Sequence, residues 1–177
     1  MKKVAALVLA LVLLLCAVPS FAEEGDALYL GLGVSTSIGS SKDASADKDG
    51  TAQVDSAIAT VIVDKDGVIQ LCIIDAAQTK VTFSAAGVIT ADMTAEIKTK
   101  VEKGTEYGML ATSTANGIGK EIDEQYAGLE AWLVGKTVED LKAAYEGKDE
   151  TLVSVCSIKL ESVCVALEKA VADALAK

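Results

Sequence analysis

The residues of this chain that invite chemistry are Gly117-Ile118-Gly119-Lys120, two glycines flanking one apolar residue where a loop gives way to a helical run. Glycine at such a bend takes positive φ and lets a ligand come close to the backbone. Amides at a helix start suit an anion such as phosphate. A plain helix-entry loop has the same pattern, because short glycine motifs recur by chance. The absences are equally informative. The sequence has no histidine and no arginine, and all 16 basic residues are lysines. Imidazole acid–base catalysis and histidine metal sites are therefore excluded, and the bidentate guanidinium clamp for phosphate is missing. No nucleophile is paired with an identifiable base, which argues against an independent enzyme.

Thr114 to Gly119 resembles the E-T-P-G-[IL]-G segment of the FMN-binding domain family. That domain occurs in the flavin-carrying subunits of Rnf-type and sodium-pumping quinone reductase complexes and in exported flavinylated proteins. Trp132 to Thr137 is similar to the aromatic-x-x-G-K-[ST] segment that follows it there. Ser113 stands where the family has an acid, and Ala115 with Asn116 where it has proline. The family's S-G-A-[ST]-x-[ST] motif takes FMN on its fourth hydroxyl, through a phosphoester made by a separate transferase. It aligns with Ser154 to Lys159, with Ser157 at the acceptor position. Val155 replaces the glycine, Cys156 the alanine and Lys159 the second hydroxyl residue. A β-branched residue does not readily take positive φ, which favours ordinary strand there.

The resemblance implies an exported FMN-binding-like domain, an electron carrier or redox-linked module at the cell surface. FMN would be held covalently or non-covalently, with a flavin transferase or a membrane electron-transfer complex as partner. The implied cofactor-binding residues are Thr114, Gly117, Gly119 and Lys120 at the bend, and Ser157 and Lys159 at the terminal junction. Tyr107, Met109 and Trp132 would stack on the isoalloxazine ring, or else fill the core. Lys120 or Lys159 would neutralise the phosphate as a point charge, or else is merely solvated. This reading requires the paired-glycine bend and the terminal junction to meet in space around a cavity. The other reading is a non-redox extracellular binding or structural domain that kept the fold and lost the flavin.

The elements that must position these residues read as an α+β fold: an antiparallel β-meander with helices packed on it. Leu28 to Val34 predicts a first strand whose glycines, Gly31 and Gly33, mark a bulge or a close backbone approach. Gly39 to Gly50 reads as a solvated loop; Ser56 stands where a calcium loop needs glutamate. Val54 to Val63 and Val68 to Ile74 form a hairpin around Asp64-Lys65-Asp66-Gly67. Both strands turn apolar on both faces near that turn, which predicts a central place in the sheet. Val81 to Ser84 and Val88 to Thr90 predict a second hairpin, giving four or more strands. A short helix over Thr94 to Glu102 precedes a long loop, Gly104 to Gly119, of a length that is usually functional or disordered. Helices follow over Glu121 to Val134 and Val138 to Tyr145, the second capped by Thr137. Leu152 to Ile158 predicts a last strand. A closing helix over Ser162 to Ala176 should lay its apolar stripe on the sheet.

The first 22 of the 177 residues read as a cleaved secretory signal. Lys2 and Lys3 precede the apolar run Val4 to Val18, and Pro19-Ser20-Phe21-Ala22 ends in small residues. Leu15 before Cys16 argues against lipid attachment, and the run is short for a membrane span. A single domain from 23 to 177, secreted or held outside the cytoplasm, is the expectation. Its 14 lysines against 26 acids give a formal charge of −12, which repels nucleic acid and anionic lipid. Cys72, Cys156 and Cys164 are odd in number and lack a C-x-x-C pair, so small buried hydrophobes are expected rather than disulfides.

Overall fold

The computed structural model describes residues 27–177; the signal segment lies outside them. Three antiparallel strands come first, β1 (Tyr29–Ser37), β2 (Gly50–Val63) and β3 (Ile69–Phe83), in the order β1-β2-β3. Six helices follow: α1 (Lys100–Lys103), α2 (Leu110–Ala115), α3 (Ile122–Leu133), α4 (Val138–Gly147), α5 (Glu150–Val155) and α6 (Glu161–Leu175). A 3₁₀ turn, Gly104–Tyr107, joins α1 to α2. Strands first and helices after them make the fold α+β.

Strand pairing explains where the core sits. The inner face of the sheet reads, row by row, Tyr29-Val63-Ile69, Gly31-Val61-Cys72 and Gly33-Ala59-Ile74. α6 lies over β1 and β2, and α3 packs against β3. Ala166, Leu167, Ala170 and Ala174 of α6 are fully buried there, as are Leu129 and Leu133 of α3. Gly31 and Gly33 let the helix come down onto the strand backbone, which is the close approach their spacing predicts. The Asp64 to Gly67 turn closes as expected. The Asp64 carboxylate accepts from the amides of Asp66 and Val68, and Gly67 takes φ +79°.

Charged side chains cover backbone groups along the outer edges. On β1, Lys177 and Lys169 donate to the Leu30 and Val34 carbonyls, and Asp173 accepts from Leu32 N. On β3, Glu130 Oε1 accepts from Ile74 N at 2.7 Å. Burial, with the nearby Asp75 charge, holds the Glu130 carboxyl above its ordinary value, against the lowering effect of that amide. Such blocked edges discourage strand addition.

Six expectations are corrected. The sheet has three strands: Val88 to Thr90 folds back through a turn at Ser84 and bonds to the end of β3 at Thr82, but forms only an isolated bridge, Phe83–Ile89, rather than a strand. β3 runs unbroken from Ile69 to Phe83, through Asp75 to Lys80, because small and polar residues there line a cleft rather than a core. The hairpin is only half central, with β2 inside and β3 at an edge. The helix expected over Thr94 to Glu102 shrinks to α1, whose start is fixed by a Thr99–Glu102 capping box. The strand expected over Leu152 to Ile158 is instead α5 and an extended exit. Asp149 caps α5 by accepting from Thr151 N and Leu152 N, and only Leu152 of the helix is buried. The supposed long loop holds the 3₁₀ turn and α2.

Cys72, Cys156 and Cys164 are free and buried. Burial, helped by the Glu130 charge, pushes the Cys72 thiol up to about 12, and burial with the Glu168 charge takes Cys164 to about 11. Burial also raises Cys156. At pH 8 the thiolate, the reactive form, is scarce at all three. Iodoacetamide should therefore leave these three thiols unlabelled in the folded chain and label them fully in urea, as read by intact mass. Fast labelling of any one under native conditions contradicts this packing.

Candidate functional site

Towards the N-terminal ends of α3 and α6 the inner face of the sheet changes character. Its next rows are Ser35-Ala57-Ala76 and Ser37-Asp55-Gln78. These small and polar residues floor a cleft of about 580 Å³, within the usual size range of ligand pockets. Tyr107, Met109 and Thr112 form one wall, and Ile122 and Tyr126 of α3 another. The third is the junction Ser157-Ile158-Lys159 and the first turn of α6, Glu161 to Val163.

Gln125 holds two of these walls together. It sits on the buried stripe of α3 between Ile122 and Leu129 and is completely buried. Its Nε2 donates to Lys120 O at 3.1 Å and lies 3.2 Å from Met109 Sδ. Its Oε1 accepts from Ser157 N at 2.9 Å and from Ser157 Oγ at 3.3 Å. One amide thus ties the end of the glycine bend to the terminal junction. Ser113, also buried, secures the bend itself: its Oγ donates to Lys120 O at 2.6 Å and accepts from Lys120 N at 3.0 Å. Glu121 completes this wall by accepting from Met109 N and Leu110 N at 2.8 and 3.0 Å.

The floor carries an anchored carboxylate. Burial opposes ionisation of Asp55, but hydrogen bonds from Gln78, Gln53 and Ser40 and the charge of Lys100 prevail and lower its pKa. The Gln78 and Gln53 amides donate at 2.8 to 2.9 Å. Lys100 also lines the cleft, its Nζ 5.3 Å from the Tyr107 ring centroid. At the other side α6 starts without a side-chain cap, which leaves its first-turn amides to solvent or a ligand.

The nine residues proposed from the sequence separate into two groups. Tyr107, Met109, Ser157 and Lys159 line the cleft together. Thr114, Gly117, Gly119, Lys120 and Trp132 do not line it. Gly117 and Gly119 take φ +83° and +64°, as a tight bend demands. The amides of Gly117, Ile118 and Lys120, however, are already bonded to Thr114 O, Ser113 O and Ser113 Oγ. The bend therefore shapes a wall, with these donors spent inside it. Trp132 packs elsewhere: its Nε1 donates to Thr151 Oγ1, and Lys136 Nζ stands over its ring. Sequence reasoning missed Asp55, Gln78, Lys100, Tyr126 and Gln125. Only Gln125 left a signal, as an amide interrupting an apolar helical stripe.

No protein-family model matches the chain, and no match was found among curated proteins or solved structures.

Proposed function

We propose that the cleft binds a flat, phosphate-bearing cofactor of the FMN type, making the protein an exported electron carrier or redox-linked module. The observation that carries this reading is the Gln125 bridge. It ties Ser157, which lines the cleft, to the Lys120 carbonyl at the end of the glycine bend, which stands behind the cleft wall and supports it. The donor set also fits such a guest. Tyr107, Tyr126 and Met109 offer apolar surface to a ring over the low Ala57–Ala76 floor. Ser35, Ser37, Asp55 and Gln78 suit a polyhydroxyl chain. Lys159, Lys100 and the uncapped start of α6 suit a phosphate, with Glu161 at the rim working against it. Bound flavin would supply the electron chemistry; the chain would position it and limit water. A flavin transferase and a membrane electron-transfer complex are the partners this role calls for, with the protein outside the cytoplasm. Among the described residues no helix is long and apolar enough to cross a membrane.

The test is titration of FMN into the purified chain, followed by quenching of flavin fluorescence. Binding should weaken about tenfold on Lys159→Ala or Tyr107→Ala, and riboflavin should bind less tightly than FMN because it lacks the phosphate. Co-expression with a flavin transferase then asks whether Ser157 carries flavin covalently, through a fluorescent band in a denaturing gel lost on Ser157→Ala. A colourless chain that ignores FMN in both arms ends the redox reading and leaves a non-redox extracellular binding domain.

A further inference from the structure

We propose that the outer face of the sheet is a homodimer interface, two copies packing sheet to sheet about a twofold axis. The face turned away from α3 and α6 presents Leu30, Leu32 and Val34 of β1, Ile62 of β2, and Leu71 and Ile73 of β3. Leu32 is 56% exposed and Ile73 59%, side by side across Thr60. Antiparallel sheets with one solvated face normally alternate apolar inside and polar outside. Here the strands are apolar on both sides, the pattern of strands with cover above and below, and the described chain covers one side only.

Charge and geometry select a second copy as the missing cover. The rows Leu30-Ile62-Leu71 and Leu32-Thr60-Ile73 contain no ionisable residue, in a chain with 26 acids. Asp75, in the next row, spends its carboxylate on Val101 N and Ala76 N. A neutral window meeting its own twofold image avoids the repulsion that the rest of this acidic surface would impose. The capped edges of β1 and β3 work against growth by strand addition, so association is directed to the face. Three strands about 4.8 Å apart, with nine outer-strand residues at about 3.4 Å each, give a footprint of roughly 14 by 30 Å. Two such faces bury on the order of 1,000 Å² together, enough for a specific dimer of modest strength.

The test is sedimentation of the chain from residue 23, which retains every buried core residue. Wild type should show reversible dimerisation with a micromolar dissociation constant, strengthened by salt as the rim carboxylates are screened. Ile73→Ser should raise that constant about tenfold and Leu32→Lys should abolish the dimer, each with an unchanged circular dichroism spectrum. A wild type that stays monomeric to about 0.3 mM, far above a micromolar constant, overturns the proposal. So does a dimer indifferent to both substitutions. If the monomer floats with neutral phosphatidylcholine vesicles and Leu32→Lys does not, the face serves lipid instead, and the homodimer is again refuted.

Discussion

Gly33→Val should cost about 4 kcal/mol or more and lower the melting temperature by about 10 °C or more. The reason is the seat of α6 on β1. A Cβ built on Gly33 falls well inside van der Waals contact with the Ala166 carbonyl oxygen and the Ala170 amide. One on Gly31 meets the Ala170 carbonyl oxygen, with Ala174 N at 2.7 Å and Ala174 Cβ at 2.8 Å. Overpacking a core against side chains costs about 1–3 kcal/mol because side chains can turn away. Helix backbone cannot, so the whole of α6 must lift. That uncovers Ala166, Leu167, Ala170 and Ala174 together. Gly147 is the control: it has open space around it and ordinary φ, so Gly147→Ala should leave the melting temperature unchanged or slightly raised. A Gly33→Val chain that melts like wild type would show that α6 does not rest on β1. It would also remove the reason for the α6 start lying at the cleft.

The same packing shows which parts of the fold the sequence discloses. α3 and α6 were legible because each is long and carries an apolar stripe, and α4 because Thr137 and Asp140 form a capping box before it. The β2–β3 turn was legible from Asp64 to Gly67. Elsewhere tertiary context overrode the local pattern. Leu152-Val153-Ser154-Val155 alternates like a strand, yet Asp149 and Glu150 start a helix there. The stretch from Asp75 to Lys80 lacks strand character because Ala76 and Gln78 line a cleft, while β2 still pairs with them throughout. The cleft was half legible for a related reason. Ser157 and Lys159 came from a family pattern, and Tyr107 and Met109 from their place before a glycine bend. Asp55, Gln78 and Lys100 lie far apart in sequence and converge only through strand register and α1 docking, which no spacing rule announces.

Gln125→Leu should destabilise the chain by about 2–4 kcal/mol and abolish ligand binding by the cleft, because the link between its two walls is cut and Ser157 N is left without its acceptor. Lys120 O would lose its Nε2 donor, although Ser113 Oγ still serves it, and Ser157 N would lose its acceptor. Gln125→Glu separates the two halves of that bridge. Its Oε1 still accepts from Ser157, but the second oxygen faces the Lys120 carbonyl, acceptor against acceptor, in a fully buried position. Only the protonated acid can donate there, so the pKa in the folded chain must lie above the ordinary glutamate value of about 4.3. A raised pKa means the folded state holds the proton longer than the unfolded state. The variant's stability is therefore kept below about pH 4 and falls by up to about 1.4 kcal/mol per pH unit as pH rises through that window. Urea melts of wild type and Gln125→Glu should nearly coincide at low pH and diverge towards pH 7, while Gln125→Leu stays displaced by a constant amount. A pH-independent gap for Gln125→Glu would place solvent at this amide. The two cleft walls would then be held by packing alone, and the case for a ligand bound between them would lose its footing.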